Sequence, residues 1–402
     1  MVATNSTTGL TVVMAAFALA ACGDAGTTAP DLDDPFASVS TGVLHTCALT
    51  PDGAAYCWGW GEHGQLGNGE ERDRNVPVPV RGGLTFETVS AGGGHTCGIT
   101  TSGETYCWGF NQNGQLGNGT FADIMEPTPV AGTATFDQVT AGATSNCALT
   151  AEGAAYCWGF NGFGQLGDGS QTDRPQPVAV DGGLAFTAIA AGNFHTCAVT
   201  ATGEAHCWGR NDEGQLGDGS TTSSATPVAV SGELRFATIA AGLGHTCGVT
   251  LDDDAYCWGD NTFGQLGDGT GNNARAPRLV SDGAGYAAIS AGGAYSCGVK
   301  ADGDGWCWGI NQLGQLGTNA GAACEDPNDP SGSITFVCSL EPLLVEGGLA
   351  LQGVSVNTQH TCGHTRSDGV WCWGLGDRGQ LGDGSSGPNV LSITPVKVAG
   401  QP

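Results

Sequence analysis

Histidine, cysteine and aspartate recur along this chain at spacings that chemistry could use. His45 stands two residues before Cys47 and twelve before Cys57. The trio returns as His95 with Cys97 and Cys107, His195 with Cys197 and Cys207, His245 with Cys247 and Cys257, and His360 with Cys362 and Cys372. One imidazole beside two thiolates is part of a tetrahedral zinc set. Two further copies argue against that reading. They keep Cys147 with Cys157 and Cys297 with Cys307, but carry Ser145 and Tyr295 at the histidine position. A ligand set would not lose a member twice while its neighbours persist, so no metal is expected. Seven pairs spaced by ten, together with Cys324 and Cys338, read as eight disulfides and leave Cys22 alone among 17 cysteines.

Other chemistries find less support. Asp168, Asp218, Asp268 and Asp383 each precede a glycine, but the alternating oxygen ligands of a calcium loop are missing, so they read as turn residues. The recurrent Gly-Gln-Leu-Gly, first at Gly64 to Gly67, lacks the Lys-Ser/Thr of a phosphate-binding loop. A catalytic residue is rarely needed five times over, so the histidines are expected to hydrogen-bond a turn. Neither an enzymatic activity nor a cofactor is expected.

The elements that must position these residues follow from the period. Trp-Gly recurs at Trp58, Trp108, Trp158, Trp208, Trp258 and Trp308, 50 residues apart, and a seventh copy at Trp373 follows after 65. A fixed period of this size marks stacked structural units. In the second unit, Thr85 to Ser90 alternates like a strand (A) and Ala91 to Gly94 turns the chain. Thr96 to Thr100 and Thr105 to Trp108 form a hairpin (strands B and C), and Pro127 to Val130 is a fourth strand (D). Four short antiparallel strands per unit is one propeller blade. Residues 36–40 read as a strand A and residues 394–398 as a strand D. The expectation is therefore an all-β fold, a single closed seven-bladed β-propeller over residues 35–400, with the N-terminal strand A completing the sheet of the C-terminal strand D. Within each hairpin the cysteines face one another, about 4.5 Å apart at Cα in a non-hydrogen-bonded pair, which a disulfide can bridge.

Composition bounds what this surface can meet. Of 402 residues 70 are glycine and only 12 are Lys or Arg, for a formal charge of −27. Such a surface repels phosphate backbones, which tells against nucleic acid, and offers no basic stretch to an anionic membrane. At the N-terminus, the apolar run from Leu10 to Ala20 is too short to span a bilayer and reads as a signal segment over residues 1–22. Leu19-Ala20-Ala21-Cys22 resembles a bacterial lipobox, whose cysteine carries the lipid, although no Lys or Arg precedes the run. Residues 23–34 are small, polar and acidic, and read as a tether. The only membrane contact expected is that lipid; an oxidising compartment would suit the disulfides.

The unit GxxHTCALTxxGxxYCWGxNxxGQLGDG resembles the repeat of the regulator of chromosome condensation family. The likeness rests on Ala-Gly-x-x-His, the Trp-Gly pair and the Gly-Gln-Leu-Gly box, and it returns in all seven units. Kelch repeats have a similar length but lack the box. The resemblance implies a seven-bladed propeller. The family's namesake is a nuclear, chromatin-bound exchange factor for a small GTPase, roles that sit badly with an acidic, exported chain. Bacterial members, including secreted inhibitors of β-lactamase, imply a protein-binding surface.

Where the units differ is where a specific partner could be read. Because strands alternate in direction, the A–B turns and C–D loops share one face of the ring. The variable positions there include Trp60, His63, Phe110, Phe160, Phe163, Arg210, Phe263, Leu313 and Arg378, the residue types that dominate protein interfaces. An insertion at about residues 318–342, stapled by Cys324 and Cys338, is expected to leave the same face. An unidentified protein is the expected partner; the alternative is a glycan-binding or envelope-structural role, with the aromatics stacked on sugars.

Overall fold

A computed structural model describes residues 29–325 and 335–402. Among these residues there is no helix, and the strands form seven antiparallel sheets arranged as the blades of a ring. Blade 2 shows the pattern: strand A Phe86–Ala91, B His95–Thr100, C Thr105–Gly109 and D Ile124–Pro129. Strand A lines the centre, where Ser40, Ser90, Thr140, Ala190, Ala240, Ser290 and Ser355 surround a cavity of about 270 Å³. Small side chains are required where seven strands converge. Several of them also link blades: Ser40 Oγ accepts from the Ala91 amide and Ser90 Oγ from the Ala141 amide, both at 2.9 Å.

The Trp-Gly pair marks a break in the C–D register, between Cys107 and Gly109. Gly109 adopts φ 103° there, and a Cβ at this position would lie 2.7 Å from the Gly94 carbonyl oxygen. Only glycine lets the chain turn out of the sheet at that point.

The core lies between blades rather than within them. One seam collects Cys47, Cys57, Leu66, Phe86 and Trp108, all 0–2 % exposed, and six further clusters repeat the two cysteines, the leucine and the tryptophan, with Tyr286 and Leu351 replacing the phenylalanine in two of them. Each seam tryptophan contributes about 4–6 kcal/mol, from about 150–250 Å² of apolar surface at about 25 cal/mol per Å². Its indole N–H donates to the glutamine carbonyl of the preceding box, Trp108 to Gln65 O at 3.0 Å.

The cysteines pair as their spacing predicts. Cys47 is bonded to Cys57, Cys97 to Cys107, Cys147 to Cys157 and Cys197 to Cys207. Cys247 is bonded to Cys257, Cys297 to Cys307 and Cys362 to Cys372. In each of these seven bonds the partners are directly opposed on strands B and C. Their Cα atoms lie 4.1 Å apart, somewhat closer than expected of an opposed pair.

The ring is closed, but not by a shared sheet. Ser38–Thr41 pairs with His45–Leu49 of its own blade, and Leu391–Lys397 pairs with Val370–Leu375 of its own. Every unit already carries its own strand A, so no sheet is left open for the other terminus to fill. Closure instead repeats the seam packing between blades 7 and 1, where Trp58 donates to Gln380 O at 3.0 Å. A clamp is added by Gln401, whose Oε1 accepts from the amides of Phe36 (3.2 Å) and Val370 (2.9 Å). Its Nε2 donates to the carbonyls of Val370 and Val398 at 3.1 Å each.

The insertion in blade 6 lengthens strand D to ten residues, Thr335–Leu344. Its first half pairs with Ala322–Glu325, making a fifth strand on the rim of that sheet. A disulfide from Cys324 to Cys338 staples this added ribbon.

Candidate functional site

The face carrying the A–B turns and C–D loops is built on a repeated scaffold. An asparagine opens most loops: Asn111 Oδ1 accepts from the Leu116 amide (2.8 Å), and its Nδ2 donates to the Thr120 carbonyl (3.1 Å). Twelve residues later a second polar group caps the loop, as Asp123 Oδ1 accepts from the Asn111 amide at 2.8 Å. Asp73, Asp173, Ser223 and Asn273 do the same in their blades. Sequence reasoning missed these caps, although their fixed offset is visible along the chain. They also hold neighbouring loops together: Asp123 Oδ2 meets His63 Nδ1 at 3.1 Å, and Asp73 Oδ2 meets Arg378 at 3.1 Å. The Asp-Gly residues are turn formers, with Asp168 Oδ1 accepting from the Ser170 amide at 3.0 Å.

On this scaffold seven of the nine variable residues gather into three half-buried clusters at blade seams. Trp60, His63 and Phe110 pack edge to face across blades 1 and 2, with ring centroids 5.0 and 4.9 Å apart. Phe160 and Phe163 meet at 6.3 Å, and Phe163 meets Phe194 of blade 4 at 5.2 Å. The Arg210 guanidinium lies over Phe163 at 5.7 Å and Phe194 at 6.0 Å, a cation–π arrangement. Phe263 packs perpendicular to Phe336 of the insertion at 5.1 Å, which brings that ribbon onto this face. Phe194 and Phe336 stand away from the asparagine column, so the sequence did not single them out. Among the described residues, Leu313 joins none of these clusters. Arg378 does not either; it bridges Glu62 and Asp73, at 3.1 Å each, across the closing seam.

Carboxylates between the clusters are partly withdrawn from water. Burial pushes Asp73 above its usual range, against hydrogen bonds from Gly61 and Arg378. Burial also pushes Glu213 up, and the neighbouring Asp260 adds to it. The face thus offers apolar seams separated by acidic ridges.

Known proteins share this architecture. A family profile described as RCC1-like domain matches residues 83–401, and profiles of the regulator of chromosome condensation (RCC1) repeat match residues 52–99 and 36–65. The chain belongs to the RCC1-like family. Its fold is similar to human WBSCR16, with a TM-score of 0.73 at 21 % identity, covering 84 % of this chain and 89 % of that one. It is similar also to yeast RCC1 (Prp20) seen bound to Kap60, with a TM-score of 0.74 at 20 % identity, covering 94 % and 90 %. Among curated proteins, the ultraviolet-B receptor UVR8 of Arabidopsis thaliana is 52 % identical over 42 residues. That match spans 10 % of this chain and 10 % of the receptor, about one repeat.

Within this RCC1-like ring the histidines do a different job from the expected one. The turn after strand A is closed by the backbone, with the Gly92 amide donating to the His95 carbonyl at 2.8 Å. The imidazole reaches the next blade instead: His45 Nε2 to Thr96 Oγ1 (2.9 Å), His195 to Thr246 (2.8 Å), His245 to Ser296 (2.8 Å) and His360 to Thr46 (2.8 Å). The receiving hydroxyl donates onward to the box carbonyl, as Thr96 does to Gln65 O at 2.9 Å, so the imidazole must be the donor through Nε2–H. His95 uses the amide of Asn146 in the same way (2.7 Å). The next blade offers a hydroxyl already aligned by its own bond to the box carbonyl. Burial pushes these histidines down to about 3, and His95 to about 4, so they stay neutral. Tyr295 serves the sixth seam, donating to the His360 carbonyl at 2.7 Å.

All sixteen cysteines among the described residues are in disulfides. Cys22 and the first residues of the acidic tether lie outside the described residues. No group of three or more His, Cys, Asp or Glu among the described residues is arranged to hold a metal.

Proposed function

We propose that this RCC1-like propeller is an exported protein, lipid-anchored at Cys22, that binds another protein through its loop face. The observation that carries the binding role is that seven of the nine variable residues assemble into three aromatic clusters on one face of an otherwise repeated scaffold. Two are tied to polar partners, His63 to Asp123 and Arg210 to Asp212, and the third is joined by the stapled ribbon. Half-buried aromatics and arginine held in place need little ordering when a partner arrives. Yeast RCC1 (Prp20), which shares this fold, has been solved bound to Kap60, which supports a protein as the partner. Eight disulfides support export, and the lipobox-like segment supports the anchor.

Affinity capture from envelope and culture-medium fractions tests the binding role. Residues 29–402 are expected to retain a protein that is lost on replacing Phe110, Phe160 and Phe163 with alanine, with the far-ultraviolet circular dichroism unchanged. Equal retention by both would overturn the assignment to this face. Retention of polysaccharide alone would move the role to glycan binding. The anchor is tested by fractionation: Cys22→Ser should lose the lipid mass and leave the membrane fraction.

A further inference from the structure

The tether leaves the ring at a defined place. Leu32, half-buried, packs against the core cluster of the closing seam, and its amide donates to the Gly400 carbonyl at 3.0 Å. The Pro30 carbonyl lies against Gly400, and Pro35 lies against Gly369 in the B–C turn of blade 7. The B–C turns and D–A links share one face of the ring, opposite the A–B turns and C–D loops. Residues 30–35 are therefore held on the face away from the aromatic clusters.

From this we infer that the B–C face is the membrane-facing side of the propeller and the aromatic face points away from the bilayer. The inference rests on the lipid anchor proposed above. Cys22 stands eight residues before Pro30, a stretch that reaches at most ~29 Å even when fully extended. A six-residue strand such as Phe86–Ala91 makes the blade ~20 Å tall before its turns are added. Turning the ring over would use up nearly all of that reach in passing the blade. With the B–C face down, no such extension is needed. That face carries exposed carboxylates, including Asp52, Glu104, Glu152, Glu204, Asp252 and Asp302, so an anionic bilayer would hold it at a short distance rather than bind it. A partner reaching the aromatic clusters must approach from the aqueous side, not from the lipid.

The pairing of all sixteen other cysteines leaves Cys22 as a unique thiol, which makes a direct test possible. The chain from Cys22 onward is coupled through that thiol to phosphatidylcholine vesicles bearing a maleimide-headgroup lipid and an acceptor dye on the headgroups. A fluorescent amino acid is placed at Ser102 or Thr202 on B–C turns, and separately at Gln112 or Asp212 on C–D loops of the same two blades. Energy transfer to the bilayer should be several-fold stronger from the B–C positions in both blades. Equal transfer, or stronger transfer from the loop positions, would overturn the orientation. The coupling is chemical, so the result does not depend on whether the cell acylates Cys22, which the mass of the native protein reports separately.

Discussion

The buried histidines give this protein a dependence on acid that no exposed group would. Their folded values, about 3 to 4, lie below the value of about 6.5 expected in the unfolded chain. Between those limits the unfolded state binds more protons, so stability falls as the pH drops from about 6.5 toward 3 and is complete above that window. Each histidine adds about 1.4 kcal/mol per pH unit within it. Urea unfolding at pH 7, 6 and 5 should therefore show a loss that steepens below pH 6, and His245→Ser should reduce the slope by one proton. A flat profile from pH 7 to 5 would show that the imidazoles are not held neutral. Ser145 already occupies the equivalent position in blade 3, so the variant copies an arrangement the ring contains. At this scale the sequence is a partial guide. That the histidines are structural follows from their repetition, but their partners do not, because His45 and Thr96 are 51 residues apart. A column of Thr, Asn or Ser before each first cysteine is the available signal.

At the scale of the element, the hairpin is the most legible feature. Strands B and C are local, their turns are short, and a cysteine separation of ten fixes which residues face each other. Removing one such bond by Cys97→Ala with Cys107→Ala should lower stability by about 2–3 kcal/mol, read as a fall in Tm under non-reducing conditions. The pair formed by Cys324 and Cys338 belongs to the ribbon added to blade 6, outside the seam clusters in which the hairpin pairs lie. Replacing both with alanine should leave Tm nearly unchanged while weakening partner capture. An equal fall in Tm for the two double variants would show that the ribbon is part of the folding core. In the sequence the ribbon reads as a loop, because its acidic, Gly- and Pro-rich middle hides the strand pattern on either side. Strand D also reads short: Pro127 lies inside Ile124–Pro129, on the outermost strand, where a missing amide donor is tolerated.

For the whole molecule, the number of blades and their order follow from the period, but the mode of closure does not. A strand A at one end and a strand D at the other fit both a shared terminal sheet and seven complete sheets, and only the pairing separates them. The seam between blades 7 and 1 thus depends on side chains: His360 to Thr46, Trp58 to Gln380 and the Gln401 clamp. Gln401→Ala removes four hydrogen bonds, about 2–4 kcal/mol at about 0.5–1 kcal/mol each. Hydrogen exchange should then speed up first in residues 36–59 and 360–398 and leave blades 3 to 5 as before. Uniform acceleration around the ring would mean that closure is not localised at this seam. Seven self-contained sheets carry a further implication, for ancestry. The boundary of the repeated segment coincides with the boundary of a blade, and Leu32 already touches Gly400. Joining the ends and opening the chain at another D–A link would leave every sheet intact, so circular permutants should fold. In the same way, tandem duplication of a single coding unit would deliver a finished blade, with its own disulfide and its own donor for the next.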